Sequence, residues 1–267
     1  MSPVPVECEK LVYLELQKTA CTTIGAILCD LFAGEQVRPK HGRLPDPTTS
    51  KCVVGSVRNP WDYYVSLWAF GCQGRGELHQ LLTERHWKGA LGRLPAPGPL
   101  LGELSRPVAS WRRSYAPPHA PEQFRSWLDR IHAPAHACEF DTVYSESRLR
   151  FVAGYASYRY CRLYASDFAE VLDSQTMSDL VSRVEAGYLP RVMIRMEHLA
   201  DDLIAAVRVA GYVVDDTLEE VIRERAGTRS NTSSHMPYTD YYDDACRELV
   251  SRRDSLIISR HGYSFGS

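Results

Sequence analysis

The stretch that decides the fold is LVYLELQKTACTTIGAILCDLF, residues 11–32. It predicts a buried strand over 10–17 and a helix over 22–32, joined by a polar turn built on Lys18 and Thr19. The apolar positions of the helix recur with the helical period at Ile24, Ile27, Leu28 and Leu31. A strand, a tight turn and a helix form a common phosphate-binding layout, because a helix N-terminus presents unpaired N–H groups. The turn nevertheless has no glycine and lacks the Gly-Lys-Ser/Thr of nucleoside triphosphate loops.

A second junction of the same kind follows at KCVVGSVRNP, residues 51–60. It reads as an apolar strand that ends at Arg58, followed by a helix with Asn59 as N-cap and Pro60 at its first position. Arg58 can grip a phosphate with two parallel hydrogen bonds, and Ser66 can add a hydroxyl from the helix. Either junction alone fits an ordinary turn. Two in succession predict a ligand with two separated phosphates.

Strands that alternate with helices predict an α/β protein, with a central, mostly parallel β-sheet flanked by helices. A third strand is predicted within 190–199, followed by a helix over 200–211. The length suits a single domain, 1–267, with an irregular, Gly- and Pro-rich acceptor or lid insertion around 73–170. Further helices are predicted at 121–132, at 174–187 and along a C-terminal stripe of Tyr242, Ala245, Leu249, Leu256 and Ile257 that ends at Gly262.

The composition is that of an ordinary globular protein, with a formal net charge of −2 and a pI of about 6.5. No global positive field argues for nucleic acid or an anionic membrane as a partner. No apolar run approaches the ~18 residues that a membrane helix needs, and the N-terminus does not have the pattern of a signal peptide. Eight scattered cysteines without Cys-x-x-Cys are expected to be reduced. The sequence therefore predicts a cytoplasmic protein.

The two junctions resemble the motifs of one family, the sulfotransferases that use 3′-phosphoadenosine 5′-phosphosulfate (PAPS). QKTACTT resembles their 5′-phosphosulfate loop, and VRNPWDYYVSLW resembles their 3′-phosphate motif, in which an Arg and a Ser eight residues later hold the phosphate. KHGRL at 40–44, IRMEHLADDL and NTSSHMPYTDYYDD are similar to further segments of the bacterial and glycan-type branch. The resemblance runs from Leu11 to Phe265, except for the divergent middle at 73–170.

The resemblance implies a P-loop-like sulfotransferase fold that transfers a sulfuryl group from PAPS to a hydroxyl of a small-molecule or carbohydrate acceptor, without a metal. Lys18 would stabilise the departing oxygen, and His41 would be the base, with Glu197 as an alternative base or a structural carboxylate. The residues implied in donor binding are Lys18, Thr19, Ala20, Cys21, Thr22, Thr23, Arg58 and Ser66, with Arg229, Asn231, Thr232 and Ser233 on the far side of the nucleotide. Cys21 departs from the family, which has Ser or Gly there.

Other interpretations stay open at the level of sequence. A P-loop kinase would need a Gly-Lys-Ser/Thr loop and an acidic metal site. A non-catalytic nucleotide-binding protein on the same scaffold would bind without turnover. HAPAHAC, with His132, His136 and Cys138, has metal-binding residue types, but its prolines disrupt helical geometry and no fourth ligand is apparent. The tyrosine-rich segment 155–164 fits the wall of an acceptor cavity or a half-buried helix.

Overall fold

The computed structural model describes residues 6–36, 41–44, 46–85, 98–115, 117, 119–228 and 235–267. Five strands form one sheet in the order β3-β1-β2-β4-β5. The strands are β1 (Val6–Glu7), β2 (Leu11–Leu14), β3 (Glu35–Gln36), β4 (Cys52–Val57) and β5 (Val192–Arg195). The central strands β2, β4 and β5 are parallel, and β1 is antiparallel to both of its neighbours, β2 and β3. The prediction of an α/β protein with a mostly parallel centre is confirmed, within a mixed sheet.

The register places the carboxyl ends of three parallel strands side by side at one edge of the sheet. Leu14 pairs with Gly55, and Val57 pairs with Arg195. The carboxyl ends of β2, β4 and β5 therefore meet, which is where ligands bind in open α/β sheets. The antiparallel edge follows from a short connection: β1 returns into β2 through a turn in which the N–H of Cys8 donates to the carbonyl of Leu11, and so short a link cannot join parallel strands.

Helices of very different length surround this sheet. In chain order they are α1 (Cys21–Leu31), α2 (Pro60–Cys72), α3 (Glu77–Thr83), α4 (Gly98–Ser105), α5 (Val108–Ser114), α6 (Pro121–His132), α7 (Thr142–Glu146), α8 (Leu149–Val152), α9 (Tyr155–Tyr164), α10 (Phe168–Leu172), α11 (Met177–Ala186), α12 (Leu199–Val209), α13 (Asp216–Gly227), α14 (Asp244–Arg253) and α15 (Ser255–His261). Short 3₁₀ helices lie at Pro134–Glu139, Met196–His198 and Tyr238–Tyr241. The predicted N-cap of α2 is confirmed, because the Asn59 side chain accepts from the N–H of Trp61 at 3.1 Å.

Both faces of the sheet are covered, as a parallel centre requires. Leu11 and Tyr13 of β2 pack on the face that α1, α12 and α13 cover. Val12 and Leu14 point the other way, into a larger core that contains most of the remaining buried aromatic side chains. The segment 73–170 is more helical than its Gly and Pro content suggested. Most of the buried apolar residues in its described part, Trp111 among them, belong to this larger core.

Three predicted elements differ from the structure. The first strand covers only Leu11–Leu14 of the predicted 10–17. The third strand covers only Val192–Arg195 of the predicted 190–199, because a 3₁₀ turn and α12 begin directly after it. The C-terminal stripe is broken at Asp254, which separates α14 from α15. The carboxylate of Asp254 is buried and accepts from the hydroxyl of Tyr64 at 2.9 Å and the N–H of Ser157 at 2.8 Å. Gly262 ends α15 in the left-handed conformation, as predicted.

Candidate functional site

The turn after β2 is held without glycine. Lys18 and Ala20 both adopt left-handed backbone conformations, with φ of 65° and 59°, which costs about 1 kcal/mol for each non-glycine residue. The buried side chain of Thr19 offsets that strain, since its hydroxyl donates to the carbonyl of Leu16 at 2.7 Å and lies 2.6 Å from the hydroxyl oxygen of Ser56. The Thr19 hydroxyl therefore stabilises the turn itself.

A cavity of about 310 Å³ opens where this turn leads into α1. It is lined by Gln17, Lys18, Ala20, Cys21, Thr22, Thr23, His41, Leu67, Phe70, Arg75, Gly76, Glu77, Leu78 and His79. The structure thus brings together most of the predicted loop and the predicted base. α1 begins with Ala20 as N-cap and has no side-chain cap, so the N–H groups of its first turn have no capping side chain at this cavity.

Among the described residues, Lys18 is a cation without a carboxylate counter-ion. Its Nζ lies 3.8 Å from the centre of the Phe70 ring, and no carboxylate of the described residues lies within ion-pair distance of it. Burial, together with the positive charges of Arg58 and Arg75, lowers the pKa of Lys18 from 10.5 to about 8. An anionic ligand would relieve this unfavourable environment, so the electrostatics of the cavity favour an anion.

The second predicted motif lies beside the cavity instead of in its lining. Arg58 donates through Nε to the Asp62 carboxylate at 2.7 Å and through Nη1 to the carbonyl of Lys18 at 3.2 Å. The two motifs therefore touch, as expected for the ends of neighbouring parallel strands. Ser66 is buried on α2. Neither Arg58 nor Ser66 lines the cavity, and Arg229, Asn231, Thr232 and Ser233 lie outside the described residues.

The imidazole of His41 has a defined tautomer. Nδ1 lies 2.8 Å from the carbonyl oxygen of Glu15, and a carbonyl oxygen can only accept, so Nδ1 carries the hydrogen. In the neutral ring the lone pair is then on Nε2, as a general base requires. His41 is itself held in a left-handed conformation, with φ of 65°, and its side chain lines the same cavity as Lys18.

Glu197 occupies a structural position. One carboxylate oxygen accepts from the N–H of Asn59 at 2.7 Å, and the other accepts from the hydroxyl of Tyr263 at 3.0 Å. This contact ties the 3₁₀ turn after β5 to the start of α2. The contact with a backbone N–H agrees with the structural interpretation of Glu197, and its alternative role as the base stays a prediction.

The possible metal ligands of HAPAHAC are not assembled into a site. His132 is buried, with Nδ1 at 2.9 Å from the carbonyl of Leu128, and His136 contacts Glu139 at 2.7 Å. Within the described ranges, no group of three or more His, Cys, Asp or Glu side chains is placed to hold a metal. The segment 155–164 forms α9, whose tyrosines are buried and do not line the cavity.

The sequence analysis missed the far wall of the cavity, which is the turn between α2 and α3. The Arg75 guanidinium stacks 4.5 Å from the centre of the Phe70 ring. Gly76 has a φ of 96°, and a Cβ there would lie 3.0 Å from the Phe70 ring. The signal was present in FGCQGRGEL, residues 70–78, whose glycines mark a tight turn. Nothing in the sequence shows that this turn faces Lys18.

Comparison with known proteins gives no relative: no protein-family model, curated protein or solved structure matches this chain. Every helix in the part of the chain that the structure describes is too short or too polar to span a membrane.

Proposed function

We propose that the chain is a PAPS-dependent sulfotransferase with a P-loop-like sulfotransferase fold. The observation that supports this most is Lys18, a largely buried cation without a carboxylate partner among the described residues, beside the uncapped start of α1. In this proposal the 5′-phosphosulfate lies against residues 18–23. Arg58, which touches the Lys18 carbonyl, takes the 3′-phosphate together with Ser66.

The contacts of Arg58 define how it would bind. Nε is engaged by Asp62 and Nη1 by the Lys18 carbonyl, whereas Nη2 makes no hydrogen bond to a described residue. Asp62 thus fixes the plane of the guanidinium, and Nη2 is the nitrogen available to a phosphate. A preorganised guanidinium of this kind loses little side-chain entropy on binding.

The proposed mechanism uses two ionisable side chains of the cavity, His41 and Lys18. Nε2 of His41 takes the proton of the acceptor hydroxyl as its oxygen bonds to sulfur. The bond between sulfur and the bridging oxygen breaks, and protonated Lys18 stabilises the charge that develops on the departing 5′-phosphate oxygen. The products are the sulfated acceptor and 3′-phosphoadenosine 5′-phosphate (PAP). Positioning and charge stabilisation supply the catalysis, as in phosphoryl transfer.

Titration with PAP tests this proposal. At a hundred times its Kd, PAP should stabilise the protein by about 2.7 kcal/mol, a rise in Tm of about 5 °C or more. Lys18→Ala and Arg58→Ala should each reduce that rise by about half or more at the same PAP concentration, whereas the exposed Lys10→Ala should not change it. No rise for the wild-type protein would contradict the proposal.

The catalytic step needs a separate variant. His41→Ala should retain PAP binding and lose sulfuryl transfer by about 10²-fold or more, measured as PAP released from PAPS in an acceptor screen. Binding without any transfer by the wild-type protein would favour the non-catalytic nucleotide-binding protein. Binding of ATP with Mg²⁺ in preference to PAP would favour a kinase.

A further inference from the structure

Gln17 stands directly before Lys18 and lines the same cavity. Its Nε2 donates to the hydroxyl of Tyr63 at 3.0 Å, and its Oε1 lies 3.5 Å from Nη2 of Arg159. Both partners come from buried positions behind the turn, Tyr63 on α2 and Arg159 on α9. Both polar atoms of the Gln17 amide therefore contact buried side chains of the protein.

Arg159 is an unusual side chain for this position. It is only 7% exposed, and no carboxylate within the described residues forms an ion pair with it. Burial acts to lower the pKa of Arg159, but the phenols of Tyr155 and Tyr63, followed by more distant carboxylates, raise the pKa above its usual value. The guanidinium remains charged. A buried charge is costly unless it has hydrogen-bond partners. The amide oxygen of Gln17 is one such partner of the Arg159 guanidinium.

The contact fixes which way the amide points. Arg is a donor only, so the group facing Arg159 must be the amide oxygen of Gln17, and the NH₂ must face Tyr63. That NH₂ carries two hydrogens, and the described contacts use one, to the Tyr63 hydroxyl. Since Gln17 borders the cavity, the second hydrogen is available to an oxygen bound there.

We infer that Gln17 binds an oxygen of the transferred sulfuryl group through Nε2, and that Arg159 is the positioning residue that keeps this amide from flipping. The inference rests on the proposed function. It adds a donor that distinguishes PAPS from PAP, because PAP has the same two phosphates and lacks the sulfuryl oxygens. An oriented N–H at that point also stabilises the negative charge on the sulfuryl oxygens during transfer.

The test compares the affinities of Gln17→Leu for PAPS and for PAP by calorimetry. We expect PAPS to bind at least about tenfold more weakly than to the wild-type protein, the loss of a hydrogen bond to a charged group, with PAP affinity unchanged within about twofold. Arg159→Met should give the same pattern, and the double variant should be no weaker than Gln17→Leu alone. Gln73→Leu, on an exposed glutamine outside the cavity, is the matched control.

A measurement without ligand checks the positioning contact. Gln17→Glu places a carboxylate against Arg159, whose guanidinium forms no ion pair with a carboxylate of the described residues, so the Tm should rise; a fall would overturn the contact. Unchanged PAPS affinity in Gln17→Leu, or equal losses of PAPS and PAP, would overturn the inference and leave the proposed function standing. Failure of the wild-type protein to bind PAP would overturn both.

Discussion

The lowered pKa of Lys18 makes ligand binding depend on pH in a way that can be calculated. With a pKa of about 8 in the ligand-free protein, about ten in eleven Lys18 side chains are protonated at pH 7 and about one in eleven at pH 9. The proposed site binds PAP through the protonated form of Lys18, so the affinity for PAP should fall about tenfold between pH 7 and pH 9, or about 1.4 kcal/mol. At the ordinary pKa of 10.5, the affinity would hardly change.

PAP itself should titrate little in this range. The second ionisation of a phosphate monoester has a pKa of about 6, so PAP is already fully charged above pH 7. Calorimetry at pH 8 in buffers of different ionisation enthalpy should also show an uptake of about half a proton per PAP bound, since the anion restores the proton to Lys18.

Lys18→Arg is the matched control, because an arginine stays charged throughout this range. Its affinity for PAP should differ little between pH 7 and pH 9. A wild-type affinity that is flat over the same interval, with no proton uptake, would refute the assignment of Lys18 as the ligand-binding cation with a lowered pKa.

The folding stability of the ligand-free protein should change with pH in the opposite direction to the affinity for PAP. The folded state gives up the Lys18 proton near pH 8, whereas the unfolded chain keeps it to about pH 10.5. Below pH 8 both states hold the proton, so the stability contributed by this residue rises between pH 8 and 10.5. The wild-type protein should therefore gain stability relative to Lys18→Met over that window, measured by urea unfolding.

Three further changes test the architecture of the site by thermal and urea unfolding. Gly76→Ala should lower the Tm more than Gly74→Ala and weaken PAP binding, because both have positive φ but only the first would press a Cβ against the aromatic wall; equal effects would contradict this. Thr19→Val should cost about 1–3 kcal/mol, since it leaves buried partners unsatisfied; no loss would show that the hydroxyl does not hold the turn. Asp254→Ala should cost about 3 kcal/mol, while the exposed Asp244→Ala should stay within about 0.5 kcal/mol, and similar costs would refute a special role for the break between α14 and α15.

The elements that the sequence predicted well are those with local signals. The helical period after Lys18, the N-cap Asn59 and the stop at Gly262 depend on neighbouring residues, and the structure confirms them. The break at Asp254 depends on Tyr64 and on α9, which are distant in the chain. No local pattern could have placed it.

The residues of the candidate site likewise fall into those that the sequence predicted and those that it did not. Lys18 and His41 were chosen from the sequence, and the structure places both in one cavity. Phe70 and Arg75 were missed, because their approach to Lys18 results from the packing of α2 against the sheet. The prediction that Arg58 and Ser66 share in ligand binding stays a prediction, since neither lines the cavity.

Calorimetric titration with PAP, and separately with adenosine 5′-monophosphate, which lacks the 3′-phosphate, tests the central claim most directly. The account predicts that PAP binds at least about tenfold more tightly than the monophosphate, as expected for one further charge-assisted contact. Arg58→Ala should remove that difference, and Lys18→Ala should weaken both ligands. No binding of PAP, or equal binding of the two nucleotides by the wild-type protein, would contradict the claim that this edge of the sheet holds two separated phosphates.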